Sequence, residues 1–117
     1  MNNTQKTNKF TYLLLQIRGW EDTNFPLGGS MLVKDILTIV AHHSISNTPL
    51  TLKQLYVMLH FSEAGIRKQL RNLISQGWID LRPSKDDGRL KILFASPRLI
   101  KTIHAFELEW KKLSESL

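Results

Sequence analysis

Two short helices joined by a very short turn are the feature that most restricts the fold of this chain. Thr51 is followed three residues later by Gln54, which is the spacing of a capping box at the start of a helix. Ser62 is a second N-cap residue, and Gly77 is expected just beyond the end of the second helix. Residues 51–77 are therefore predicted to form a helix-turn-helix.

Two further helices are predicted before this segment. Residues 1–8 are polar and are expected to fray, whereas apolar residues recur at helical spacing over residues 10–20. Residues 21–30 collect Asn, Pro and Gly and are predicted to form a loop. Ser30 is expected to cap a second helix that ends near His43.

A β-hairpin and a last helix are predicted to follow. Asp87-Gly88 suits a tight hairpin turn. Apolar and polar residues alternate around it, as in half-buried strands, at Ile79, Leu81, Leu90, Ile92 and Phe94. Ser96-Pro97 combines an N-cap with proline at the first helical position. The predicted class is mostly α with a small β-hairpin (α+β), in the form of a winged helix-turn-helix.

The length of 117 residues fits a single domain. The winged-helix core is expected over residues 31–95, with the helix-turn-helix at 51–77 and the wing at 78–95. Residues 1–30 are expected to form an N-terminal helix and loop. Residues 96–117 are expected to form a C-terminal dimerisation helix.

The absence of cysteine excludes disulfides, thiolate metal sites and a cysteine nucleophile. The histidines are scattered, whereas a zinc site needs about four converging ligands. No catalytic motif is visible. We therefore expect no metal, no cofactor and no enzymatic activity. No apolar run approaches the roughly 18 residues of a membrane span, so we expect a cytoplasmic protein without a membrane partner.

Positive charge is concentrated in the middle of the chain. The whole sequence carries a net charge of +6, and residues 51–95 hold eight basic and four acidic residues. An excess of this kind in a small domain indicates a polyanionic partner.

The second helix of the helix-turn-helix presents a basic face opposite its apolar stripe. In such motifs this helix enters the major groove of DNA, and its first turns meet the base edges. The candidate DNA-binding residues here are Ser62, Ala64, Gly65, Arg67, Lys68, Arg71 and Asn72. The alternative is a solvated helix face that happens to be basic.

The wing carries a second set of candidate DNA-binding residues, namely Arg82, Lys85, Arg89 and Lys91. Such a hairpin can reach the minor groove or flanking phosphates. Asp87 and Gly88 are assigned to support of the wing. Asp87 either orients Arg89 through a charge-assisted bond or serves only in the turn.

Residues 50–96 resemble the MarR-like winged-helix transcription regulators. The similarity lies in the helix end LISQGW at 73–78, in Ser84 and in Asp87-Gly88-Arg89. Ala95-Ser96 stands where the family has a Leu-Thr pair. His60 replaces a glycine of the turn and would have to adopt a left-handed backbone.

The resemblance implies a homodimer, and the C-terminal sequence supports one independently. An apolar seam with spacings of 4, 3, 4, 3 and 4 runs through Leu99, Ile103, Phe106, Trp110, Leu113 and Leu117. With Phe10, Leu14 and Ile17 it is predicted to form the dimer interface. The alternative is a helix packed on its own domain.

The resulting hypothesis is a sequence-specific, double-stranded-DNA-binding transcription regulator. A two-fold dimer would place its recognition helices about 34–36 Å apart on a pseudo-palindromic operator. The family resemblance also implies a small-molecule effector of unknown identity, for which Trp20, Phe25 and His104 are candidate pocket residues. Two alternatives stay open, a protein–protein interaction module and a replication or RNA-binding winged helix.

Overall fold

Residues 2–117, which the computed structural model describes, form five α-helices and one antiparallel pair of strands. In chain order they are α1 (Asn3–Asn24), α2 (Met31–Ile45), α3 (Leu52–Met58), α4 (Glu63–Ser75), β1 (Ile79–Pro83), β2 (Lys91–Ala95) and α5 (Pro97–Ser114). The predicted mostly α architecture with one β-hairpin is confirmed.

The predicted N-caps of the central helices are confirmed by hydrogen bonds. Ser30 Oγ accepts a backbone N–H from the first turn of α2 at 3.2 Å. At α3, Thr51 Oγ1 accepts the Gln54 N–H at 3.1 Å, and Gln54 Oε1 accepts the Thr51 N–H at 2.9 Å. Ser62 Oγ accepts the Gly65 N–H at 3.1 Å and so starts α4. Each cap satisfies a backbone donor that the helix itself leaves without a partner.

The end of α4 is also as predicted. Gly77 has a φ of +81°, a left-handed conformation that favours glycine. Its N–H donates to the Ile74 carbonyl at 3.1 Å, and the Trp78 N–H donates to the Leu73 carbonyl at 2.9 Å. This pair of bonds is a Schellman motif.

The predicted fraying of the N-terminus is wrong for the part of it that is described; Met1 lies outside the described residues. Helix α1 begins at Asn3, because Asn2 and Gln5 form a capping box. Asn2 Oδ1 accepts the Gln5 N–H at 2.8 Å. The loop also begins later than predicted, since α1 continues to Asn24. Phe25 then adopts an extended backbone, as expected of a residue that precedes proline.

The expected left-handed backbone at His60 is also wrong. Leu59 leaves α3 in an extended conformation, with φ −100° and ψ 139°. Among residues 2–117, the non-glycine residue with positive φ is Asn47. The turn of the helix-turn-helix therefore needs no glycine.

The β-hairpin does not follow the predicted alternation. Leu81 pairs with Leu93, and Arg82 pairs with Ile92, so Ile92 lies on the face opposite to Leu81. Ile92 and Leu93 are nevertheless both buried, whereas Leu90 is exposed. The second edge of β2 is covered as well, because Thr51 forms a bridge with Ile92 and the Leu93 N–H donates to the Leu50 carbonyl at 2.9 Å.

The tight turn predicted at Asp87-Gly88 is present, because the Leu90 N–H donates to the Asp87 carbonyl at 3.0 Å, but it lies within a longer loop. The loop spans residues 84–90 and is closed by the Ser84 N–H, which donates to the Leu90 carbonyl at 2.8 Å. Gly88 lacks the positive φ that a two-residue turn of type I′ requires. The extra loop residues remove that requirement.

Contacts divide the chain into two compact units. The winged-helix unit is Ser30–Lys101 and contains α2, α3, α4 and the hairpin. Its fully buried side chains are Ile36, Val40, Leu50, Leu55, Ile66, Ile79, Leu93 and Leu99. Within it, α4 packs on α2 and β1, and Ser44 Oγ accepts the Ala95 N–H at 2.8 Å.

The helical unit comprises the residues up to Gly29 together with Thr102–Leu117. The rings of Trp20 and Phe106 stack at 5.0 Å, and Phe25 meets both edge-on. Trp20 and Phe25 thus pack with Phe106, while His104 is exposed and lies 3.5 Å from Glu107. Among the described helices, none is both long and apolar enough to cross a membrane.

Candidate nucleic-acid interface

Helix α4 has one buried and one solvent-facing side. Ile66, Leu70 and Leu73 are buried in the winged-helix unit. The opposite side exposes the candidate residues Ala64, Lys68, Arg71 and Asn72, together with Ser75, and Arg67 is also exposed. Ser62 is exposed at the N-cap, and Gly65 is half-buried. The candidate residues of α4 therefore lie on or beside one accessible face.

Arg67 is held by a neighbour that the sequence reasoning did not assign to the site. Its Nη2 donates to Glu63 Oε1 at 2.9 Å, an i,i+4 pair that the sequence spacing could have revealed. The pKa of Arg67 is raised above its ordinary value, first by the Tyr56 hydroxyl and then by the Glu63 carboxylate. Arg67 is therefore a permanent and oriented cation.

Lys68 and Arg71 differ from Arg67 in having no acidic partner. Within residues 2–117, neither side chain takes part in an ion pair or a hydrogen bond. Both are exposed and remain free to meet an anion.

The cations of the wing also fall into two groups. Arg82 Nη2 donates to Asp80 Oδ2 at 3.1 Å, and its guanidinium lies 4.8 Å from the centre of the Phe94 ring. Lys85, Arg89 and Lys91 are exposed and form no ion pair in the described part of the chain. Arg82 is thus engaged with the hairpin itself, while the others are available.

Asp87 acts in the turn. Its Oδ1 accepts the backbone N–H of Arg89 at 3.0 Å, and its carbonyl accepts the Leu90 N–H at 3.0 Å. No ion pair between the side chains of Asp87 and Arg89 occurs within residues 2–117. The turn alternative of the two hypotheses is therefore the one that the hydrogen bonds support.

A mostly apolar hollow of about 270 Å³ lies between α3, α4 and β1. Its lining consists of Leu52, Tyr56, Arg67, Leu70, Arg71, Ile74 and Leu81. The sequence could not reveal this hollow, because its walls come from three separate elements. Arg67 and Arg71 belong both to the lining of the hollow and to the candidate interface.

Three apolar side chains are exposed at the end of α3 and in the turn that follows. Val57 is 78% exposed, Met58 is 45% exposed and Phe61 is 43% exposed. Phe61 occupies the position expected of a hydrophobic staple with Ile66, yet much of its side chain stays in solvent. These residues lie outside the basic face of α4.

The predicted dimer residues are distributed unevenly over the helical unit. Phe10, Leu14, Trp110 and Leu117 are exposed, and Ile103, Phe106 and Leu113 are half-buried. Ile17 is buried within its own chain, so its side chain is not offered at the surface. Exposed apolar residues missing from the prediction are Tyr12, Leu15 and Leu108.

Among the described residues, no group of three or more His, Asp or Glu side chains is arranged to hold a metal ion. The winged-helix unit instead exposes unpaired cations on two neighbouring motifs. These are α4, the second helix of the helix-turn-helix, and the wing. These features define the class of fold as a winged helix-turn-helix.

No protein-family model and no curated protein matches the sequence. Solved structures do match. The Staphylococcus aureus MepR–DNA complex is 18% identical with a TM-score of 0.72, covering 92% of this chain and 86% of that one. Heme-bound PefR from Streptococcus agalactiae is 19% identical with a TM-score of 0.63, covering 98% and 78%. Transcriptional regulator Tm0710 from Thermotoga maritima is 14% identical with a TM-score of 0.67, covering 97% and 78%.

These structures are MarR-family regulators. The chain therefore has the MarR-like winged-helix fold that the sequence resemblance implied.

The start of α4 yields a prediction on stability. A Cβ at Gly65 would lie 3.0 Å from Ser62 Oγ, the capping oxygen. Gly65→Ala should gain up to about 1 kcal/mol of helix propensity but should strain the cap. In a Ser62→Ala background, which itself costs about 0.5–2 kcal/mol, the gain should be larger. Urea denaturation of the four proteins measures the difference.

Gly19→Ala is the matched control, because a Cβ at this helical glycine of α1 meets nothing within 4 Å. Its effect should not depend on Ser62. Equal gains from Gly65→Ala in both backgrounds would show that the methyl group and the capping hydroxyl do not conflict.

Proposed function

We propose that this chain is a transcription regulator that binds double-stranded DNA sequence-specifically through α4 and the wing. The observation that carries the proposal is the set of exposed, unpaired cations that both motifs hold within one compact unit. The acidic residues Glu63 and Asp80 are each paired with an arginine, whereas Lys68, Arg71, Lys85, Arg89 and Lys91 form no ion pair within residues 2–117. The likeness to a MepR–DNA complex supports the same reading.

In the proposed complex, α4 enters the major groove with its N-terminal turns. Ser62, Ala64 and Gly65 present a small, close surface there, with the positive end of the helix facing the phosphates. Lys68 and Arg71 contact phosphate. Asn72 suits adenine, and the oriented Arg67 suits guanine.

The wing is proposed to lie against the adjacent minor groove. Arg89 sits where the backbone is fixed by Asp87, and Lys85 and Lys91 flank it. A narrow minor groove attracts such cations through its enhanced negative potential. Gly88 allows the tip of the loop to approach the phosphates closely.

The protein-interaction alternative draws on Val57, Met58 and Phe61. These apolar side chains are exposed, but the face of α4 that would dock a protein is cationic, and interface cores are depleted of lysine. A replication or RNA-binding winged helix shares the electrostatics of the DNA-binding hypothesis. Competition between duplex DNA and structured RNA for the protein separates the two.

The second half of the proposal is a homodimer formed through α1 and α5. Phe10, Leu14, Trp110 and Leu117 are large apolar side chains left in solvent by the single chain. Burying them against a second copy removes apolar area from water. A two-fold dimer would read a pseudo-palindromic operator with half-sites about 34–36 Å apart.

A small-molecule effector is proposed for the hollow between α3, α4 and β1. Its volume of about 270 Å³ and its two arginines suit a small aromatic anion. The PefR structure contains heme. Release of bound duplex by small aromatic carboxylates tests the proposal, and an unchanged complex at millimolar ligand would exclude such ligands.

Substitution of single cations tests DNA binding. Lys68→Ala and Arg89→Ala should each weaken binding to a mixed-sequence duplex by about 3–10-fold, because each removes one phosphate or groove contact. Fluorescence anisotropy of the labelled duplex measures this loss. Circular dichroism melts should be unchanged, because both side chains are exposed and unpaired.

Lys9→Ala is the control, because Lys9 is an exposed cation of α1 in the helical unit. It removes the same charge from outside the winged-helix unit and should alter affinity by less than about twofold, since the phosphate contacts of the proposed surface stay intact. Equal losses for all three variants would mean that net charge, and not the proposed surface, governs binding.

Light scattering tests the dimer. The wild-type protein should have twice the 13.5 kDa mass of the chain at micromolar concentration. Leu14→Glu should shift it toward the monomer, since a buried carboxylate in the interface is costly. Gln16→Glu introduces the same group at another exposed position of α1 and should leave the dimer intact. A monomeric wild-type protein would contradict the dimer.

A further inference from the structure

The C-terminal end of α4 is tied to the first turn of α5 by a side chain that the proposed DNA contacts do not include. Arg98 Nη1 donates to the carbonyl of Gln76, the C-cap residue of α4, at 3.1 Å. The same guanidinium lies 4.0 Å from the centre of the Trp78 ring. All three residues belong to the winged-helix unit.

Trp78 is a rigid platform for this contact. Its side chain is only 4% exposed. Its backbone is held on both sides, because its N–H donates to the Leu73 carbonyl and its carbonyl accepts the Ser96 N–H at 3.1 Å. Ser96 in turn caps α5, since its Oγ accepts the Leu99 N–H at 3.1 Å.

The Arg98 guanidinium bonds a carbonyl that the backbone hydrogen bonds at the end of α4 do not use. The Schellman motif of α4 uses the carbonyls of Leu73 and Ile74, and Arg98 takes the carbonyl of Gln76. A cation at this position also complements the negative end of the helix dipole. A planar, multiply donating group can cap a carbonyl while it lies over an indole ring, a combination that the single ammonium of lysine does not reproduce.

Helix α4 extends from this contact of Arg98 with Gln76 and Trp78 to the proposed DNA surface. Its 13 residues span about 20 Å at 1.5 Å per residue. The proposed DNA contacts from Ser62 to Lys68 lie in its N-terminal turns, at the other end from Gln76. Asn72 lies about one turn before Gln76. A small change in the tilt of α4 at this contact therefore displaces the N-terminal turns.

We infer that Arg98 is a positioning residue for DNA recognition, which sets the orientation of α4 by clamping Gln76 and Trp78 to the start of α5. It does so without contacting the DNA. The inference rests on the proposed DNA-binding function.

Arg98→Ala, Arg98→Lys and the control Lys101→Ala test the inference. Lys101 is an exposed cation one turn further along α5. The probe is a duplex enriched by the wild-type protein from a random-sequence pool, titrated at several salt concentrations. Arg98→Ala should lower affinity about tenfold, Arg98→Lys should recover only part of it, and Lys101→Ala should change it less than twofold.

The salt dependence separates positioning from direct contact. A positioning residue leaves the slope of log K against log salt unchanged in Arg98→Ala, whereas loss of a phosphate contact reduces it by about 0.9. A reduced slope, or full recovery by Arg98→Lys, would overturn the inference, because charge alone would then explain the effect. So would unaltered affinity of a folded Arg98→Ala protein, which would leave Arg98 a structural role only.

Failure of the proposed DNA-binding function would give a different experimental result. If the wild-type protein enriches no duplex and binds none at low salt, the DNA-binding function itself is wrong. If wild-type binding is normal and only the Arg98 variants behave unexpectedly, the function stands and the positioning role falls.

Discussion

The burial of Ile66, Leu70 and Leu73 determines which side of α4 remains in solvent, and the candidate site depends on it. With these residues packed in the core, the 3.6-residue period of the helix leaves Lys68 and Arg71 facing outward. Caps at both ends then fix where the helix starts and stops. The Ser62 hydroxyl accepts a backbone N–H of the first turn of α4, and Gly77 allows the two Schellman hydrogen bonds at its last turn.

The distribution of acidic residues gives this surface its chemical character. Glu63 and Asp80 neutralise Arg67 and Arg82, and each pair also holds its arginine in place. These exposed pairs contribute little to stability, so their main consequence is orientation. The unpaired lysines and arginines of α4 and the wing then supply the net attraction to a polyanion. Orientation and attraction are thus divided between different residues of one unit.

Features that depend on local spacing could be predicted from the sequence. The caps at Thr51 and Ser62 and the glycine at position 77 each involve residues within five positions of one another. The outward face of α4 followed from helical periodicity alone. The hollow and the contact of Arg98 with Trp78 join residues far apart in the chain, so spacing could not reveal them.

The errors have equally specific causes. The predicted alternation grouped Leu81 with Ile92, but the register set by the loop at 84–90 pairs Leu81 with Leu93 and places Ile92 on the opposite face. Alternation was then obscured because Thr51 covers the free edge of β2. Ile17 fitted an apolar seam, yet its burial within its own chain depends on tertiary packing that a helical repeat does not encode.

Titration of a labelled duplex with the wild-type protein at several salt concentrations tests whether α4 and the wing form a DNA-binding surface. We expect binding whose log K falls linearly with log salt, with a slope of about −0.9 for each phosphate neutralised. The unpaired cations of α4 and the wing should make this slope the sum of several contacts. A folded protein that binds no duplex at low salt, or one whose binding is independent of salt, would contradict the account.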